Sequence, residues 1–221
     1  MKKEGRKPFI KDGSPSPDEY SKSKTRILFI LKDANFGIND EDKEIGNFDD
    51  SSYDQRKDLE KNPHVWWNRV RNWCAFLLNP RIEWDEVKKK DVAESLAPFS
   101  FMQLKKNAGG GSVNAGTLWD VAKEDSLEIK EQIAIYHPDF IVCCGVGEIV
   151  YKIIFSGRSP LNYTPHGVGY WKVNREDDSN RKYTYVIDYC HPSARFGKKI
   201  EGVVAFGLVN SINHLIKKRY F

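Results

Sequence analysis

Tyr185-Val186-Ile187-Asp188-Tyr189-Cys190-His191-Pro192-Ser193 is the stretch from which the rest of this chain is read. Its leading residues are β-branched or aromatic, the side chains that suit a pleated, half-buried surface. Pro192 has no amide hydrogen for a ladder, so the strand stops there and leaves a histidine at its end. A second run, Arg26-Ile27-Leu28-Phe29-Ile30-Leu31-Lys32-Asp33, ends in an aspartate in the same way. If the two strands are parallel, Asp33 and His191 sit at one edge of a sheet. The carboxyl edge of an open α/β sheet is where such folds bind ligands.

Working outward, residues 169–174 and 183–190 read as two strands joined by a polar connection over 175–182. Before them, 156–170 reads as loop. Phe140-Ile141-Val142-Cys143-Cys144 is an unbroken apolar run entered through the turn His137-Pro138-Asp139, as expected of a strand buried on both faces. Gly145-Val146-Gly147 then opens a helix carrying Ile149, Val150, Ile153 and Ile154. A further helix is expected over 125–136, capped by Asp125 or Ser126, with Ile129, Ile133 and Ala134 turned inward. Gly109-Gly110-Gly111-Ser112 lacks the Gly-Lys-Thr/Ser ending of a nucleotide-binding loop and reads as flexible chain after a strand at 97–104.

Nearer the N-terminus, Asn62-Pro63 suits a helix start, and Trp66, Val70, Trp73, Cys74 and Leu77 form one apolar stripe. Trp67 and Arg69 fall off that stripe. Lys88-Lys89-Lys90 reads as a solvated face. The first strand covers 26–31, a turn follows at Asp33-Ala34-Asn35-Phe36-Gly37, and a polar, acidic stretch runs to about residue 61. Residues 1–24, with Ser14-Pro15-Ser16-Pro17, form an arm on a single domain of 25–221. Downstream, 199–218 is a helix in which Val203, Val204, Phe206, Leu208, Val209, Ile212, Leu215 and Ile216 point to heavy burial. Strands alternating with helices give a three-layer α/β/α fold with a mostly parallel central sheet.

The 221 residues carry a net charge of +4, which permits a nucleic-acid partner without requiring one. No apolar stretch follows Met1-Lys2-Lys3, so no signal peptide is expected, and no run is long enough to span a membrane. Cys74, Cys143, Cys144 and Cys190 form no C-x-x-C pair and read as structural thiols of a cytoplasmic protein. His64, His166 and His214 lack ligand spacing, so no metal site is expected.

The order of these pieces resembles the uracil-DNA glycosylase superfamily from about residue 25 onward. Leu31-Lys32-Asp33-Ala34-Asn35-Phe36-Gly37 looks like that family's first motif, which in typical members reads Gly-Gln-Asp-Pro-Tyr-His-Gly. His191-Pro192-Ser193-Ala194-Arg195 looks like its His-Pro-Ser motif. Phe101-Met102-Gln103-Leu104-Lys105-Lys106 stands where the family has a strand ending in a base-reading asparagine, and the segment from His137 to Gly145 is similar to its strand ending in glycine.

The resemblance implies cleavage of the N-glycosidic bond of a deaminated or damaged base of the uracil type in DNA, with no metal or cofactor. Asp33 would position water and His191 would hydrogen-bond the leaving base. Gln103, Phe48 and Asn35 would contact the flipped-out base. Ser193, Arg195, Lys105 and Lys106 would hold the phosphate backbone. The chain departs from the pattern at Leu31, Lys32 and Ala34, at Asn35 where typical members carry a thymine-excluding tyrosine, and at Gln103 in place of asparagine. These departures leave a second expectation open: a non-catalytic module that binds a nucleobase or nucleic acid in the same pocket.

Overall fold

A computed structural model describes residues 12–33, 65–87, 92–105, 114–175, 182–194 and 198–219. In chain order the elements are α1 (Pro17–Lys22), β1 (Ile27–Asp33), α2 (Val65–Leu78), α3 (Trp84–Val87), α4 (Val92–Leu96), β2 (Ser100–Lys105), α5 (Ala115–Glu124), α6 (Ser126–Tyr136) and β3 (Phe140–Cys144). They continue with α7 (Gly147–Ile149), a π-helical turn (Val150–Ile154), β4 (Asn162–Tyr163), β5 (Gly169–Asn174), β6 (Tyr183–Tyr189) and α8 (Lys198–Arg219).

The six strands form one sheet in the order β2-β1-β3-β6-β5-β4. The first four are mutually parallel; β5 runs antiparallel to β6, and β4 antiparallel to β5. Helices cover both faces, which makes a three-layer α/β/α sandwich. Along β1, Ile27, Phe29 and Leu31 face one layer with α2, α4 and α8, while Leu28 and Ile30 face the other with α5, α6 and the π-helical turn. That two-sided burial is why β1 and β3 are apolar without alternation.

The arm contributes to this architecture. Gly13 bridges Phe101 on the outer edge of β2, and the Asp12 carboxylate accepts from the Gln103 backbone N–H at 2.5 Å and from Gln132 at 2.6 Å. An exposed edge strand presents unpaired amides to solvent; here the chain covers its own. Tyr20 of α1 is buried and donates to the Tyr136 carbonyl at 3.2 Å.

Several expectations change. The helix at 115–124 has no counterpart in the sequence reading; Asn114 caps it by accepting from Thr117 N–H at 2.8 Å. Residues 162–163 form the short strand β4 inside the expected loop. Ala134 is exposed, although Ile129 and Ile133 of the same helix are buried. In α8, Val203 is 69% and Phe206 42% exposed, because a helix lying on a sheet buries only the face that carries Ala205, Leu208, Val209, Ile212 and Leu215. In α2, Val70, Trp73 and Cys74 are buried as the stripe requires, while the Asn62-Pro63 start lies outside the described residues.

Candidate functional site

From β1 the chain moves outward to β2, then crosses back to β3 on the other side of β1. The carboxyl ends of β1 and β3 thus frame a topological switch point, the place where open α/β sheets form a ligand crevice. β6, also parallel, ends beside β3.

Gly145 follows β3 directly at this switch point. Its φ of +73° is the left-handed conformation that glycine adopts without steric penalty. Its N–H donates to the Tyr189 carbonyl at 2.7 Å and to the Cys143 carbonyl at 3.0 Å, which ties the end of β3 to the end of β6. A Cβ at this position would stand 3.1 Å from Lys32 Cε and 3.3 Å from His191 Cβ. Lys32 and His191, far apart in the chain, therefore flank one glycine.

His191 begins a tight turn in which Ala194 N–H donates to the His191 carbonyl at 2.9 Å. Within that turn the Ser193 N–H donates to His191 Nδ1 at 3.1 Å, and the Ser193 hydroxyl lies 2.6 Å from the same nitrogen. Nδ1 is thus an acceptor, and these bonds assign the proton of the neutral ring to Nε2. Burial pushes the His191 pKa down to about 4, and the Lys32 ammonium acts in the same direction. The result is a neutral imidazole with an Nε2–H donor.

The turn is clamped from α2. Arg69 donates through one guanidinium nitrogen to the carbonyls of Pro192 and, at 2.6 Å, Ala194. Tyr189, at the end of β6, packs edge-on against Trp73 with ring centres 5.2 Å apart, and its hydroxyl donates to the Val204 carbonyl. Burial pushes the neighbouring Cys190 thiol up to about 11, so it is no activated nucleophile.

Of the residues singled out from sequence, Asp33 closes β1 opposite Lys105 on β2; its carboxylate lies outside the described side chains. Gln103 pairs with Leu31, is only 2% exposed, and its amide oxygen is buried without a partner among the described residues. The residue lies inside β2, two residues before Lys105 closes the strand. Ser193 stands beside His191 as described. Phe48, Asn35, Lys106 and Arg195 lie outside the described residues.

Sequence reasoning missed three contributors. Arg69 reads from sequence only as lying off an apolar stripe, because a clamp on distant carbonyls has no local signature. Lys32 stands out there as a departure from a motif, not as a neighbour of His191. Asp188 packs directly on Gly147, where any Cβ would collide with its carboxylate, and burial together with Glu148 raises its pKa. Among the described residues no group of three His, Cys, Asp or Glu side chains is arranged to hold a metal ion. No helix among them is long and apolar enough to cross a membrane. No protein-family model matches this chain, and no curated protein matches it.

Proposed function

We propose that the protein hydrolyses the N-glycosidic bond of a deaminated or damaged base in DNA. The reading is carried by His191, a neutral imidazole with its proton on Nε2, two residues beyond the end of β6 and beside Lys32 of β1. Breaking the bond between C1′ and the base nitrogen leaves the electron pair on the base and positive charge on the sugar. A hydrogen bond from a neutral donor stabilises the leaving base, and it does so without first spending a proton from solution. The Lys32 ammonium adds positive potential on the same side.

Asp33, at the end of β1, is the carboxylate assigned to stabilise the sugar cation and take the proton of the water that attacks C1′. Gln103 supports the reading through its amide oxygen, which has no partner among the described residues and which a base edge with an N–H would satisfy. The base reaches the site only after leaving the helical stack, which DNA accomplishes by flipping. Ser193, Arg195, Lys105 and Lys106 are the assigned backbone contacts, and Phe48 and Asn35 complete the assigned base pocket. A cytoplasmic setting suits the four free thiols.

The non-catalytic alternative draws on a specific observation: Gln103 is almost fully buried, which suits a residue that braces the end of a strand rather than reads a base. Both readings meet one experiment. Oligonucleotides carrying uracil, hypoxanthine or xanthine are incubated with the protein, then treated with alkali. Strand breaks at the modified base, reduced by about 100-fold or more in Asp33→Asn and His191→Ala, are the expected result. Salt-sensitive binding with no breaks assigns the module instead.

A further inference from the structure

Base removal as described above draws only on the charge of Lys32 and leaves its amine without a task. Lys32 is the penultimate residue of β1 and is half-buried at the carboxyl edge of the parallel strands. Pairing of β1 with β3 brings it beside Gly145, and the bond from Gly145 N–H to the Tyr189 carbonyl brings the end of β6 to the same point. Lys32 Cε and His191 Cβ stand 3.1 and 3.3 Å from where a side chain of residue 145 would begin. The missing side chain is what lets the two approach each other.

Among the described residues Lys32 forms no ion pair and no hydrogen bond. That matters because a carboxylate against an ammonium holds its proton on, whereas a lysine attacks a carbonyl through the neutral amine. The other nucleophile types at this end of β6 are not activated. Burial pushes the Cys190 thiol up to about 11, and the Ser193 hydroxyl meets an imidazole whose pKa is down at about 4, a weak base. Lysine also carries its amine on a flexible four-carbon stem. The sugar C1′ is one bond from the nitrogen of the base that His191 is assigned to hold, so an amine beside His191 is near C1′ once the base has gone.

We propose that Lys32 is the nucleophile of a second step at this site, breaking the DNA strand on the 3′ side of the abasic residue. The step takes its substrate from the reaction proposed above and rests on that reading. In its open form the abasic sugar carries an aldehyde at C1′. The ammonium of Lys32 first gives a proton to water; the amine then attacks C1′, a carbon–nitrogen bond forms, and the aldehyde oxygen leaves as water, giving an imine. Water takes a proton from C2′, its electron pair becomes the C2′–C3′ double bond, and the C3′–O bond breaks with its electrons going to the departing phosphate. Hydrolysis of the imine returns Lys32. No oxidant or reductant is consumed.

An oligonucleotide carrying a preformed abasic site is mixed with the full chain and sodium cyanoborohydride, which reduces an imine to a stable amine. The expected result is a protein–DNA adduct on a denaturing gel, mapped to Lys32 by mass spectrometry. Lys32→Arg keeps the charge but offers no amine that can form the imine, so at equal occupancy of the oligonucleotide, set by anisotropy, the adduct should fall by about 100-fold or more. Lys172→Gln, which removes an exposed lysine of β5, should leave the adduct unchanged. Melting curves check that both variants fold. No adduct with the wild type, an adduct mapped to another residue, or one undiminished in Lys32→Arg overturns the proposal. Because the abasic site is supplied ready-made, this outcome does not depend on base removal. An adduct without excision of uracil, hypoxanthine or xanthine overturns the glycosidic reading and leaves the lysine step standing; excision without an adduct does the reverse.

Discussion

The two edges of the sheet treat charge in opposite ways. At the carboxyl edge, burial keeps His191 neutral and the Lys32 ammonium beside it reinforces that state. At the amino edge a cation is buried instead, and Asp139 lies against Arg175 as its counter-ion. An imidazole can shed its proton at little cost near neutral pH, whereas a guanidinium cannot and needs a counter-ion when buried. The first edge therefore holds a neutral hydrogen-bond donor, and the second holds a buried ion pair. The strands hold these two arrangements of charge at opposite ends of one sheet.

The strongest way to break this contrast is at the amino edge. Asp139→Ala removes the partner of a buried guanidinium and the acceptor of the Arg26 backbone N–H at 2.9 Å. A loss of about 3 kcal/mol or more in urea unfolding is expected, since a buried ion pair is broken from one side. A change below about 1 kcal/mol would show that solvent already reaches Arg175, and the contrast would then fail.

Arg69→Ala tests the carboxyl edge at the next level. Two charge-assisted bonds to the Pro192 and Ala194 carbonyls disappear, for an expected cost of about 2 kcal/mol. Amide exchange at Ala194 should quicken as the turn loosens, and the His191 midpoint should move upward as the ring gains access to water. Arg69→Lys should restore only part of both, because a single ammonium replaces a planar fork. Unchanged exchange would leave Arg69 as mere packing.

Gly145→Ala sharpens the contrast with a built-in control. Gly167 has nearly the same φ, +76°, and open space where a Cβ would stand, so Gly167→Ala isolates the backbone penalty of about 1–2 kcal/mol. Gly145→Ala should cost more than Gly167→Ala, because its methyl meets Lys32 and His191. Equal costs would mean that the crevice yields to a side chain.

The smallest effect is a titration. The His191 ring signal should titrate near pH 4, far below the ordinary histidine value of about 6.5, and Lys32→Gln should move it upward. Between about pH 6.5 and about pH 4 the unfolded chain binds a proton that the folded imidazole refuses, so stability falls as pH drops through that window and is unaffected by this group above it. His191→Gln should remove that slope. A midpoint near 6.5 would remove the neutral donor from the glycosidic reading.

The strand pattern was legible because burial on two faces forces an apolar run, as in Ile27 to Leu31 and Phe140 to Cys144. Helix α5 was not, because Gly116 and Thr117 are weak helix formers at its start and Asn114 caps it directly after a glycine-rich stretch. The burial of α8 was overstated at Val203 and Phe206, since composition does not reveal how much of a helix its neighbours cover. At the site, His191 stood out through the proline behind it. Arg69, Lys32 and Asp188 did not, because their roles are contacts with residues distant in sequence.

Local sequence alone determined which apolar runs become the buried strands, since β propensity, apolar runs and proline act within a few bonds. Tertiary structure alone decided that β1 and β6 flank β3 in parallel, that Lys32 and His191 meet across Gly145, and that Asp139 neutralises Arg175. Those outcomes depend on which surfaces pack together, and the protonation state of a side chain follows from the water and charge that such packing leaves around it.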